Sequence, residues 1–207
     1  MMSPKVSDEH KEQRRRQLLD AAERVFIRKG YESATMKDFV EEAEMSRGWI
    51  YLYFSSKEEI FAAIVERMDA DNTKQVENQL AQSSSMWETV AALLDQQKED
   101  LAESSSSMAS VMYEYFISGW RSEERKAQLA GRYASGFGIF TTLIEKGIER
   151  GEFKPTLSVP LIAKIIAAQL DGILTHTLAV GHEQAEVENQ IDALIAYSKQ
   201  LLGVVHP

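Results

Sequence analysis

The sequence predicts an all-α protein, and three observations carry that expectation. Apolar residues recur at three- and four-residue spacing along nearly the whole chain, the period of helices with one buried face. Ser, Thr and Gly stand where such helices would begin and end, as capping requires. Alternating segments rich in β-branched residues, the signature of strands, are missing. The pattern divides the chain into a head of short helices, residues 1–57, and a body of longer ones, residues 58–207.

In the first helix Leu18, Leu19, Ala22, Val25 and Phe26 form the apolar stripe. Gly30 is placed to end it in the left-handed conformation, with Phe26 and Tyr31 as the apolar pair of a Schellman motif. Thr35 precedes MKDFVEEA, Ser46 precedes RGWIYLYF and Ser56 precedes KEEIFAAIVERM. Each reads as a capped helix, and Ser56 with Glu59 reads as a capping box. Met36, Phe39, Val40, Ala43, Ile50, Phe54, Ile60 and Ile64 should join them in one small core. The fourth helix is expected to run to about residue 79. Further helices are expected over about 86–103, 108–120, 123–150, 159–180 and 185–202. Serine-rich joints at 83–85 and 104–107, and Gly151, Gly181 and Gly203, separate them.

Of the 207 residues 44% are hydrophobic and 27% charged, enough apolar material for a packed core. There is no Cys, which excludes a disulfide framework, a thiolate metal site and a cysteine nucleophile. His10, His176, His182 and His206 are dispersed, so neither a metal nor any other cofactor is expected. No G-x-S-x-G, P-loop or H-E-x-x-H motif occurs, so the chain reads as a non-enzyme. The N-terminus lacks the apolar segment of a signal peptide. The most apolar region, residues 159–180, is interrupted by Lys164 and Asp171. A cytoplasmic protein with no membrane partner is expected.

The net charge is −9, but it is unevenly spread. Residues 1–57 hold 11 Lys/Arg against 10 Asp/Glu, and the remaining 150 hold 12 against 22. A near-neutral head on an acidic body suggests two modules with different partners.

Two short capped helices joined by about three residues, Glu44, Met45 and Ser46, are a helix-turn-helix candidate. With Ile50 taken as the core direction, Phe54 joins it, while Gly48 and Leu52 point away and Trp49 and Tyr51 flank them. Arg47, Gly48, Trp49, Tyr51 and Tyr53 would then share an exposed face, and exposed aromatics usually mean contact. Gly48 costs roughly 1 kcal/mol of helix propensity but allows another surface to approach closely.

Residues 14–65 resemble the DNA-binding head of the TetR/AcrR family of bacterial regulators, through LLDAAERVFIRKGY, TMKDF, MSRGWIYLYF and SSKEE. The acidic helical remainder is similar in length and layout to that family's ligand-binding and dimerisation domain. The resemblance implies an N-terminal three-helix helix-turn-helix head, joined by a connecting helix to a C-terminal ligand-binding and dimerisation bundle. It implies a homodimeric repressor that binds a palindromic double-stranded DNA operator and releases it on binding a small molecule. By position, Thr35 would cap the second helix and touch a phosphate, and Lys37 would reach a phosphate or a base edge. Arg47, Gly48, Trp49 and Tyr51 would face the major groove, while Tyr53 and Lys57 would hold phosphates. An Arg fork suits guanine O6 and N7; Tyr hydroxyls and Lys suit phosphate. One departure is Glu44, where the family usually has Gly; a left-handed Glu costs on the order of 1 kcal/mol. Trp49 stands where a small residue is typical, and packing against the first or fourth helix is its other reading. Arg14–Arg16 could aid phosphate binding or form a solvated face.

In the body, Met108, Met112, Tyr113, Tyr115, Phe116 and Trp120 cluster, followed by Tyr133, Phe137 and Phe140. Core packing is one reading. The other is a cavity for a small apolar or aromatic effector, with Met112, Tyr113, Phe116, Trp120, Tyr133, Phe137, Gln169 and Asp171 as its lining. Glu114 and His176 are further polar candidates, and the cluster has no basic group beside it. Asp171 needs a partner within an apolar helix. Gly136 and Gly138 call for either close helix packing or open space. Val187, Ile191, Leu194, Ile195, Leu201 and Leu202, with the wide apolar arc of residues 161–174, are expected to supply a four-helix dimer interface. A helical protein-interaction module and a helical enzyme with an aromatic pocket are the alternatives.

Overall fold

The computed structural model describes residues 8–205, and these are helical almost throughout. Helix α1 (Asp8–Lys29), α2 (Met36–Glu42) and α3 (Arg47–Ile50) form the head, and α4 (Lys57–Gln82) leads out of it. The body holds α5 (Met86–Ala102), α6 (Met108–Ser118), α7 (Glu123–Glu149), α8 (Val159–Val180) and α9 (Val187–Leu202), with a 3₁₀ turn at Ser104–Ser106. Among the described residues the only β pairing is an isolated antiparallel bridge between Phe153 and Val204.

The head core contains the expected α1 stripe together with Phe39, Ile50, Phe54, Ile60 and Ile64. Gly30 is left-handed, with φ 78°, and its N–H donates to the Phe26 carbonyl at 2.7 Å. This is the simpler αL stop rather than the Schellman form, because the Tyr31 N–H goes elsewhere: it donates to Glu114 Oε2 on α6 at 2.8 Å. The apolar half of the expectation survives as Phe26 and Tyr31 rings stacked 5.7 Å apart.

Thr35 caps α2 as expected, accepting from the Asp38 N–H at 3.3 Å. The Asp38 carboxylate returns the favour to the Thr35 N–H at 3.0 Å, a capping box with Asp in the usual Glu position. Glu44 is left-handed at φ 52°, so the turn adopts the conformation that favours glycine without having one there. Helix α3 is shorter than RGWIYLYF suggested. Beyond Ile50 the chain tightens into turns, with the Tyr53 and Phe54 N–H groups both donating to the Ile50 carbonyl. That path buries Ile50 and Phe54 on one side. At α4 the Ser56 hydroxyl accepts from the Glu59 N–H at 3.2 Å. Glu59 itself reaches one residue further back, to the Ser55 N–H at 2.7 Å.

The body has its own core, contributed by α4, α5, α7, α8 and α9. Here one expectation is corrected. Val187, Ile191, Leu194 and Leu202 are buried within the chain, where α9 packs against α5, so this stripe is core and not a dimer surface. By length and composition alone α8 could cross a membrane despite Lys164 and Asp171, but one side of it packs on α7 and α9. The two cores approach each other at α6, whose Met108, Val111, Tyr115 and Phe116 belong to the head's cluster.

Candidate DNA-binding surface and ligand cavity

The short α3 and the turn after it present one aromatic and basic face. Tyr51 is exposed, and the Arg47 guanidinium lies 5.5 Å over its ring. Trp49 lies on the surface, stacked on Tyr53 at 6.4 Å, rather than packed in the head core. Tyr53 does touch that core. A Cβ on Gly48 would meet nothing within 4 Å, so the glycine leaves the middle of the face open. Leu52 is 75% exposed on the same turn, pointing outward as its place opposite Ile50 implies. Lys37 is exposed and pairs with Glu41 at 3.5 Å, an (i, i+4) contact of little strength.

Two basic positions behave differently from their expectations. Lys57 is turned inward: its Nζ donates to the Tyr31 carbonyl at 2.9 Å and the Glu32 carbonyl at 3.2 Å, over the Tyr31 ring. Two of its three donors therefore close the end of α1. In the Arg14–Arg16 run, Arg15 lies 5.4 Å over Phe54, and Arg16 pairs with Glu12. The run is partly tied into the head instead of simply solvated.

The head is clasped to the body around Tyr31 and Glu32. Glu114 of α6 accepts from both backbone N–H groups, at 2.8 and 3.2 Å. Arg125 of α7 pairs with the Glu32 carboxylate at 3.2 Å and lies 4.3 Å over Tyr115. Burial, with Glu58 beside it, pushes the Tyr31 hydroxyl well above its ordinary range. Glu114 therefore belongs to this joint and not to the cavity.

A cavity of about 370 Å³ lies between α6, α7 and α8. Met112, Tyr113, Phe116, Tyr133, Phe137 and Asp171 line it, as the sequence suggested. Trp120 does not; it is 57% exposed beyond the end of α6, beneath Arg121. Gln169 and His176 are exposed on α8 and absent from the lining. Leu129, Arg132, Gly136, Phe140, Leu174 and Thr175 are also part of the wall. Arg132 overturns the expectation of no basic group. It was missed because a charge on α7 reads as a solvated position until its partner is known. That partner is Asp69 of α4, whose two carboxylate oxygens lie 2.7 and 2.6 Å from Arg132 Nη1. Asp171 finds its partner in the Tyr133 hydroxyl, which donates at 2.8 Å. Burial and the neighbouring Asp171 carboxylate push that hydroxyl up to about 12, so it remains a donor. Tyr133 and Phe137 stack at 5.4 Å as one flat aromatic wall. Gly136 and Gly138 have no atom near an added Cβ, which answers their question in favour of open space.

Residues 18–64 match the tetR family of bacterial regulatory proteins, and residues 89–188 match the tetracyclin repressor-like C-terminal domain. The chain is 40% identical over 201 residues to the HTH-type transcriptional regulator YfiR of Bacillus subtilis, covering 97% of this chain and 98% of that one. The fold is similar to that of FadR of B. subtilis in complex with stearoyl-CoA, with TM-score 0.72 at 20% identity over 92% of this chain and 99% of the other. It is also similar to SmeT in complex with triclosan, with TM-score 0.77 at 18% identity over 91% and 90%; SmeT is a repressor from Stenotrophomonas maltophilia. An exposed helix-turn-helix face on an all-helical body, and a full-length relative of the same kind, lead to one conclusion: the chain belongs to the TetR family of transcriptional regulators, a family of DNA-binding proteins and not of enzymes.

Proposed function

We propose that this protein is a cytoplasmic, ligand-responsive repressor that binds a palindromic operator as a homodimer and leaves it when a small apolar or aromatic effector enters the body. One observation carries the ligand response. Three consecutive residues of α6 face three parts of the machine: Glu114 holds the backbone after α1, Tyr115 belongs to the head core, and Phe116 lines the cavity. A ligand that shifts Phe116 must disturb its neighbours, provided it binds the two arrangements with different affinity.

In this reading Arg47 and Tyr51 approach base edges across the space left by Gly48, Trp49 and Tyr53 lie along the groove wall, and Lys37 and the helix-capping Thr35 meet phosphates. Lys57 acts mainly by holding the loop from which α2 starts. The dimer face moves to the outer sides of α8 and α9. Leu161, Ala168, Gly172 and Ala179 are exposed or half-buried on α8, and Ala193, Ala196 and Tyr197 are exposed on α9. Only 28% of the most apolar stretch of α8 is buried within the chain. Small residues with a few large ones suit close packing against a second copy across a two-fold axis.

The cavity also favours a charge. Arg132 is neutralised by Asp69, whereas among the described residues Asp171 receives one side-chain hydrogen bond, from neutral Tyr133. The uncompensated charge is negative, so an apolar effector bearing an amine is preferred. Two proteins of similar fold form complexes with stearoyl-CoA and with triclosan, which supports an apolar body for the effector. The test is to select the operator from random DNA with the pure protein, then titrate apolar amines, neutral aromatics and anions against the complex. Release only by strongly anionic hydrophilic compounds would overturn this reading.

A further inference from the structure

The cavity beside Asp171 does not end at its own far wall. A second cavity, about 190 Å³, lies between α4, α5, α7 and α8 and shares Gly136 and Phe140 with the first. Its other walls include Asn72 and Val76 of α4 and Leu93 and Gln97 of α5. Between the two spaces α7 presents no side chain at Gly136, and an added Cβ there would touch nothing. A glycine in the middle of a long helix costs about 1 kcal/mol relative to alanine. Neither a turn nor a close helix contact accounts for it here, since α7 is regular at this point.

Resting on the cavity reading above, we propose that Gly136 is a passage, and that the effector is a long-chain amphiphilic amine. Its head lies near Asp171, and its flexible alkyl chain crosses over Gly136 into the second cavity and ends against α4. The proposal follows from the order of the walls. Asp171, the charged wall residue without a cationic partner among the described residues, faces the first cavity and a further space of about 270 Å³ between α5, α6 and α8, but not the second cavity. The second cavity is lined by Val76, Leu93, Ile139 and Leu170, with Asn72 and Gln97 at its polar side. A rigid aromatic molecule could fill the first space but could not bend past the helix into the second. An alkyl chain can, and each buried methylene adds to its affinity. The second cavity is also where a ligand would touch α4, the helix that runs into the head core. Chain length would then decide between mere occupancy and release of DNA.

The probes are primary n-alkylamines from butylamine to dodecylamine, with binding measured by calorimetry and release by loss of operator binding. In the unaltered protein affinity should rise about fourfold per methylene through the whole series, and only the longer members should release DNA. In Gly136→Leu, which blocks the passage from a position with room for a side chain, affinity should still rise from one short amine to the next. The rise should stop at intermediate length, and release should be lost. Leu93→Trp, which fills the second cavity from α5, should give the same break, and thermal unfolding confirms that both variants fold. An unbroken rise in both variants, a plateau at the shortest members in the unaltered protein, or equal release by short and long amines overturns the passage while leaving the first cavity as the effector site. Failure of every amine to bind overturns the cavity reading itself, and the passage with it.

Discussion

At the scale of single residues, the recognition face separates into groups that read bases, groups that hold the backbone of DNA, and groups that hold the protein. Arg47→Ala should cost about 1–3 kcal/mol on the preferred operator and relax preference at one position per half-site; affinities on operator and random DNA measure this. Trp49→Ala should weaken DNA binding while thermal stability holds, because the ring lies on Tyr53 at the surface and leaves no core void. A fall in stability of about 3–5 kcal/mol, the cost of deleting a buried aromatic, would place it inside instead. Lys57→Ala should now destabilise the head by about 1–2 kcal/mol, because it removes two charge-assisted bonds to the loop after α1. Its effect on the salt slope of DNA binding should be small. Asp38 adds a pH dependence. Its hydrogen bonds to Lys29 and Thr35 hold the carboxyl at about 2, below its ordinary value near 3.8. The stability it contributes is complete above about pH 4 and is lost as pH falls toward 2. Asp38→Asn should flatten that acid limb in thermal unfolding.

At the scale of elements, stripes were legible and their partners were not. The period of Val187, Ile191 and Leu194 identifies α9 from sequence, but a period cannot say whether a stripe meets its own chain or a second copy. The structure turns it onto α5. Ile191→Glu should therefore unfold the protomer, while Ala196→Glu, on the exposed side of α9, should give a folded monomer. Sedimentation together with circular dichroism distinguishes the two, and a folded monomer from Ile191→Glu would reverse the assignment. The caps were legible because a cap and its target lie three residues apart: Thr35 with Asp38, and Ser56 with Glu59. Glu114 was misplaced because its targets, Tyr31 and Glu32, are more than eighty residues away, a distance over which pattern carries no information. The same limit hid the pairing of Arg132 with Asp69. The aromatic walls of the cavity, by contrast, were readable, since Met112, Phe116, Tyr133 and Phe137 recur at helical spacing on two neighbouring helices.

At the scale of the whole molecule, a protein of net charge −9 must bind DNA with a small basic face against its own long-range repulsion. Operator affinity should fall steeply with salt through counterion release, and binding to random DNA should be weak at physiological ionic strength. Affinity measured across a salt series checks this, and a flat dependence would remove DNA as the partner. The clasp at Tyr31 and Glu32 has a consequence for anyone who wishes to exchange parts between such regulators. A graft cut at the start of α4 would carry these two residues into a foreign body that lacks Glu114 and Arg125, leaving two backbone N–H groups and one carboxylate without their mates. Hybrids made that way should bind DNA yet ignore their effector. Hybrids in which residues 31, 32, 114 and 125 travel together should answer it. What such an exchange must keep whole is the joint itself, the two backbone N–H groups with Glu114 and the Glu32 carboxylate with Arg125.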